Sequence, residues 1–134
     1  MLAHRRCLQV LVIQAALSSI SSASAFDDKE FCVAAQQFAF AANQDIGLWL
    51  DRATRNGGMT VSCDARAVEF SRFIYAPSDI MNENWKRREA EAFNSVYCNS
   101  VIWKDAITNG WRITLTVTAT DGARVSIDAR CRHK

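Results

Sequence analysis

Asp51, Glu83, Glu89, Glu91 and Asp105 are the side chains that acid–base catalysis would draw on in this sequence. Glycoside hydrolysis needs two carboxyls about 5–10 Å apart, one with a raised pKa. Glu83, Glu89 and Glu91 qualify by residue type, but they stand among Lys86, Arg87 and Arg88. Ion pairing there lowers a carboxyl pKa rather than raising it. Glu83 and Arg87 are also in the favoured i, i+4 orientation, so this run reads as a solvated helix face. Asp51 and Asp105 recur in a shared pattern, Trp49-x-Asp51-x-x-Thr54 and Trp103-x-Asp105-x-x-Thr108. That echo fits either an internal duplication or two similar helix ends. A carboxylate at a helix end anchors a turn more readily than it moves a proton. His133, near the C-terminus, is the one histidine after His4, so a Ser–His or Cys–His pair has no credible base. G-x-S-x-G, H-E-x-x-H, P-loop and G-x-G-x-x-G motifs are absent. No catalytic residue is assigned, and no cofactor or metal is expected.

Cysteines supply a different chemistry. Cys32, Cys63, Cys98 and Cys131 follow one another at spacings of 31, 35 and 33 residues, with no C-x-x-C clip for zinc or dithiol exchange. In an exported small domain four such cysteines read as two disulfides, with three connectivities open.

Export is what the N-terminus predicts. His4, Arg5 and Arg6 form a positive start, Leu8 to Leu17 an apolar stretch, and Ala23-Ser24-Ala25 a small-residue cleavage box. The apolar run is about half the roughly 20 residues of a membrane span. Residues 1–25 are therefore expected to be a cleaved secretory signal. Residues 26–134 are expected to form a single small α+β domain, periplasmic or secreted, with no membrane anchor after cleavage. The chain has 134 residues, 49% apolar and 22% charged. Its formal charge of +2 rests on Arg5 and Arg6: without them 14 basic residues face 14 acidic ones. A neutral mature chain argues against nucleic acid as a partner.

The elements follow from periodicity. Asp27 and Asp28 suit the N-cap of a first helix, and Phe31, Ala35, Phe38 and Ala42 share one of its faces. Ile46, Trp49, Leu50 and Ala53 resume helical spacing up to a stop at Gly57-Gly58. Alternation then predicts a hairpin from Met59 to Ile74, with a four-residue loop from Asp64 to Ala67 pairing Val61 with Phe70. Ser78 suits the cap of a second helix, broken near Asn99–Ser100 and stopped at Gly110. Trp111 to Ala119 and Val125 to Cys131 alternate strictly. A three-residue Thr120-Asp121-Gly122 loop pairs Val117 with Val125 and Leu115 with Ile127. The expected fold is α+β in αββαββ order: an antiparallel sheet of about four strands packed on two helices and stabilised by disulfides.

Trp49, Trp103 and Trp111 fall on apolar faces and read as core. Two residues do not fit that scheme. Arg72 interrupts the apolar Val68–Phe70–Ile74 face, and Trp85 stands in the charged first turns of the second helix. Tryptophan and arginine are the usual interface anchors, so Arg72 and Trp85 are the candidate binding residues. The expected function is a non-catalytic binding or accessory protein acting on an envelope or secreted protein. The alternative is a small carboxylate-dependent enzyme acting on envelope glycans.

Overall fold

The Asp27 carboxylate starts the first helix by accepting hydrogen bonds from the backbone N–H groups of Lys29 and Glu30, at 2.9 and 3.0 Å. In the computed structural model, which describes residues 25–132, this helix is α1 (Asp28–Asn43). The expected signal segment up to Ser24, and His133, lie outside the described residues. Strands β1 (Thr54–Ser62) and β2 (Ala67–Ile74) follow, then a 3₁₀ turn (Ser78–Ile80). Helices α2 (Glu83–Cys98) and α3 (Val101–Thr108) lead to β3 (Arg112–Thr118) and β4 (Arg124–Asp128). The second helical segment breaks at Asn99–Ser100, as its length predicted.

The four strands form one sheet in the order β1-β2-β3-β4. It is mixed rather than wholly antiparallel, because β2 and β3 run parallel. The physical reason is the connection. A parallel pair needs a crossover of a dozen or more residues, usually helical, and α2 with α3 supplies it. In the β3–β4 hairpin Leu115 stands opposite Ile127 and Val117 opposite Val125, as alternation required. Gly122 takes the positive φ of +83° at the end of its three-residue loop. In β1–β2 the buried faces match, but Val61 pairs with Val68 and Met59 with Phe70. The turn is thus Cys63 to Arg66, with Arg66 at φ +50°.

The largest departure lies between α1 and β1. Residues 44–47 are turns, and 47–50 run beside the start of β1. Asn56 N donates to Leu48 O at 2.9 Å, and Leu50 N donates to Thr54 O at 2.8 Å. Ile46, Leu48, Trp49 and Leu50 are exposed instead of forming a helical face, and Trp49 retains 49% of its accessibility. Gly57-Gly58 is no helix stop; the β1–β2 register shifts between Asn56 and Gly58, a bulge. Gly58 has φ +94°, and a Cβ there would lie 2.7 Å from Asn43 Oδ1 and 2.8 Å from Ile46 Cδ1. Gly58→Ala should therefore cost about 2 kcal/mol, roughly the penalty of a left-handed L-residue. A urea midpoint unchanged from the parent would refute that cost.

All three helices cover the sheet face carrying Phe70, Ile113 and Leu115. Phe70 meets Tyr97, Trp103 and Phe93 at ring-centroid distances of 5.0, 6.0 and 6.2 Å. Phe31 packs edge-on to Trp111 at 4.6 Å. Trp111 Nε1 donates to Asp28 Oδ1 at 2.9 Å, and Asp28 Oδ2 pairs with Arg66 Nη2 at 2.8 Å. One carboxylate so ties the start of α1 to the start of β3 and to the β1–β2 turn. The threonines of β3 point to the opposite face. There Thr114 bonds Asp128 at 2.7 Å, and Thr116 lies 3.2 Å from Ser126.

The disulfides pair Cys32 with Cys63 and Cys98 with Cys131. The first clamps α1 to the β1–β2 turn. The second clamps the end of α2 to the segment after β4. The Trp49 and Trp103 repeats adopt different structures: the first lies in the loop before β1, the second in α3.

Candidate functional site

Helix α2 owes its start to Asn82, whose side chain accepts from Trp85 N at 3.0 Å; Ser78, the expected cap, opens the 3₁₀ turn instead. This start sets the flank of α2 carrying Trp85 and Glu89 over β2. The chain reverses at Pro77 between the two elements. The result is a cleft of about 280 Å³ lined by Asp51, Thr54, Arg72, Ile74, Trp85 and Glu89. A smaller depression of about 110 Å³ continues along α2 past Arg72 and Glu89 to Val96 and Tyr97.

Arg72 is half-buried at the sheet centre, opposite Asn56 on β1 and Val117 on β3. Its guanidinium acts on both ends of the groove. Burial raises the Tyr97 pKa, and Arg72 opposes that shift. Asp51 is held below its usual value, first by a hydrogen bond from Ala53 N at 2.8 Å, then by the Thr54 side chain, with Arg72 contributing. Asp51 is thus a turn anchor that stays ionised. It is no store for a catalytic proton. Trp85 is half-buried, with part of its ring against the core.

The structure brings Arg72 and Trp85 into one cleft and adds Asp51 and Glu89 to them. It does not bring the other carboxylates there. Glu83 pairs with Lys86 at 3.1 Å, not with Arg87, and faces the other flank of α2. Glu91 is exposed, and Asp105 lies on α3 beside the start of α1. Thr54 and Ile74 stand out in the sequence as part of a repeat and of a strand face, not as binding residues. Ile74 carried a usable signal, since it follows Arg72 by two on the same strand face. Thr54 carried none while residues 46–53 read as helix. Among the described residues no group of three or more His, Cys, Asp or Glu could hold a metal ion. No described helix is long and apolar enough to cross a membrane.

The Asp121 carboxylate fastens the β3–β4 loop to the 3₁₀ turn, accepting from Ser78 Oγ, from Ser78 N at 3.1 Å and from Ala123 N at 3.1 Å. These bonds, the Ser78 hydroxyl foremost, hold its pKa below the ordinary value. A carboxyl depressed on folding adds stability above its unfolded pKa of about 3.9, and that stability is lost as pH falls through the folded value. The protein should thus lose stability in acid below about pH 4. Asp121→Asn should lose less between pH 7 and pH 3 than the parent does, as read by urea unfolding at both. Equal losses would exclude Asp121 from the acid response.

The architecture is a four-stranded mixed sheet with its helices on one face. No family model and no curated protein matches the chain. Among solved structures it is similar to a protein of Pseudomonas aeruginosa described as a candidate secreted protein. The two share 13% identity at a TM-score of 0.57, over 80% of this chain and 96% of that one. It is also similar to EpsS, the pilotin of the Vibrio vulnificus type 2 secretion system. Here identity is 11% and the TM-score 0.56, over the same shares of the two chains. At these identities the likeness is one of fold.

Proposed function

We propose that this chain is an exported, non-catalytic accessory protein that binds a segment of another envelope or secreted protein in the cleft between α2 and β2. The observation that carries this reading is Arg72, a half-buried cation on an otherwise apolar sheet face, beside the half-buried ring of Trp85 in one cleft. Such a pair offers an ionic anchor and a broad apolar surface to a side chain entering the cleft. Two disulfides suit an oxidising compartment. The shared fold with a type 2 secretion pilotin supports a component of a secretion system as the partner.

The test is a crosslinking pull-down from the envelope fraction of the source cell, with the chain expressed behind its own signal. A stoichiometric protein partner is expected, and it should be lost from Arg72→Glu and Trp85→Ala proteins that keep their circular dichroism. A partner retained by both variants would refute the cleft, and the absence of any partner beside a working crosslinking control would refute the accessory reading. Asp51 and Glu89 in the same cleft favour a second reading, a carboxylate enzyme acting on envelope glycans. With Asp51 held ionised, Glu89 would have to be the acid. Glycan cleavage abolished by Glu89→Gln would establish that reading over the first.

A further inference from the structure

The opposite flank of α2 bounds a separate groove of about 420 Å³, whose other wall is the outer edge of β4. In the β3–β4 ladder Ala129 N donates to Ile113 O at 2.8 Å, and Ala119 N donates to Ala123 O at 2.9 Å. Antiparallel pairing alternates, so Arg124, Ser126 and Asp128 turn their backbone N–H and C=O groups away from β3, toward the groove. Arg130 continues that outward row, and its N–H is taken by Asn94 Oδ1 of α2 at 2.9 Å. The outward groups of Ser126 and Asp128 have no partner among the described residues. They form a short, regular row of donors and acceptors beside a helix that already bonds the next position.

The groove's charges indicate what pairs with that row. Glu83 is engaged by Lys86 at 3.1 Å, and Asp128 by Arg112 at 3.2 Å and by the Thr114 hydroxyl. Arg87 and Arg130 form no ion pair among the described residues, although Arg130 acts on Asp128 through space, and Lys86, Arg87 and Arg130 against Glu83 and Asp128 leave the lining net positive. We infer that the β4 edge is a strand-addition site for an extended acidic segment of another polypeptide, seated between β4 and α2. The backbone row supplies the pairing, Val125 and Ala90 contact alternate side chains, and Arg87 with Arg130 selects for carboxylates. β4 has five residues, so the site takes a segment of about five residues, roughly 17 Å long. A second copy of the chain fits worse. It would present the same arginines, and its Asp128 is already engaged. This inference does not rest on the Arg72–Trp85 cleft, which lies on the other flank of α2.

The probe is a capped heptapeptide of alternating glutamate and valine, titrated into the isotope-labelled, oxidised chain. Binding is expected to protect the Ser126 and Asp128 amides from hydrogen exchange. A lysine–valine counterpart should bind at least about tenfold more weakly. Peptide whose alternate amides are N-methylated should not bind. Arg87→Glu, on the exposed helix surface, should weaken binding about tenfold. Ser126→Pro, which removes an outward N–H from an edge strand, should abolish it while leaving the Arg72 and Trp85 resonances in place. Equal affinity for the two peptides, protection mapped to other strands, or no saturable binding at millimolar peptide would overturn the inference. So would a dimer of the free chain that already protects Ser126 and Asp128.

Discussion

Leu115→Ala will lower the stability of this protein by about 3–5 kcal/mol, the upper range for leucine truncation. Leu115 is fully buried on β3, an interior strand, with Phe70 opposite on β2 and Ile127 opposite on β4. The cost depends on whether neighbours can move into the space left behind. Here they are held. Hydrogen-bonded ladders fix β3 on both sides, and Phe70 is packed against Phe93, Tyr97 and Trp103. Urea unfolding with an unchanged m-value reads the loss directly. A loss below about 1 kcal/mol would mean that the core closes over the cavity, contrary to this packing.

Removing the disulfides has the second large effect. Each closes a loop of just over thirty residues, which the chain-entropy model values at about 3–4 kcal/mol. A Cys98→Ser, Cys131→Ser protein should lose that amount, because its cross-link constrains an unfolded segment containing α3, β3 and β4. The Cys32–Cys63 pair should contribute similarly, partly backed up by the Asp28–Arg66 ion pair across the same elements. Against a typical domain stability of about 5–15 kcal/mol, loss of both should leave the chain largely unfolded at 37 °C. The check is urea unfolding with and without reductant. Coincident curves would show that the cross-links do not hold the fold.

Much of this architecture could be read from residue order, and the errors have local causes. The β3–β4 hairpin was legible because alternation over both strands combined with a glycine where the loop needs positive φ. In β1–β2 the partner of Val61 moves two residues, from Phe70 to Val68, because the four-residue loop starts one residue earlier and ends on Arg66, which takes a positive φ without being glycine; nothing in the sequence announces that. Ile46, Trp49, Leu50 and Ala53 have helical spacing yet form an exposed loop. Periodicity identifies a helix only where the face it marks is buried, and backbone pairing with β1 won here. Trp49 instead packs its ring at 5.8 Å from Tyr75, with the Arg55 guanidinium 4.3 Å from its centroid. The parallel β2–β3 pairing was legible in the helical crossover that joins the two strands. Arg72 was legible as an exception to an apolar pattern. Its company in the cleft was not, because Asp51 and Thr54 come from the segment misread as helix. The groove beside β4 had no sequence signal, since it depends on which edge of the sheet is left open.

That question of edges governs how this protein can assemble. On β1 the outward positions from Thr54 to Met59 are occupied. Residues 47–50 pair with Thr54 and Asn56, and the Asn43 amide bonds both Met59 N and Met59 O, at 2.7 and 2.9 Å, in place of a neighbouring strand. Polymerisation by strand exchange needs two receptive sides per molecule, one to accept and one to pass the template on. With most of β1 closed by its own chain, a guest strand added at β4 meets no comparable receptive edge on the other side of the sheet. A molecule built this way resists becoming a link in a fibre.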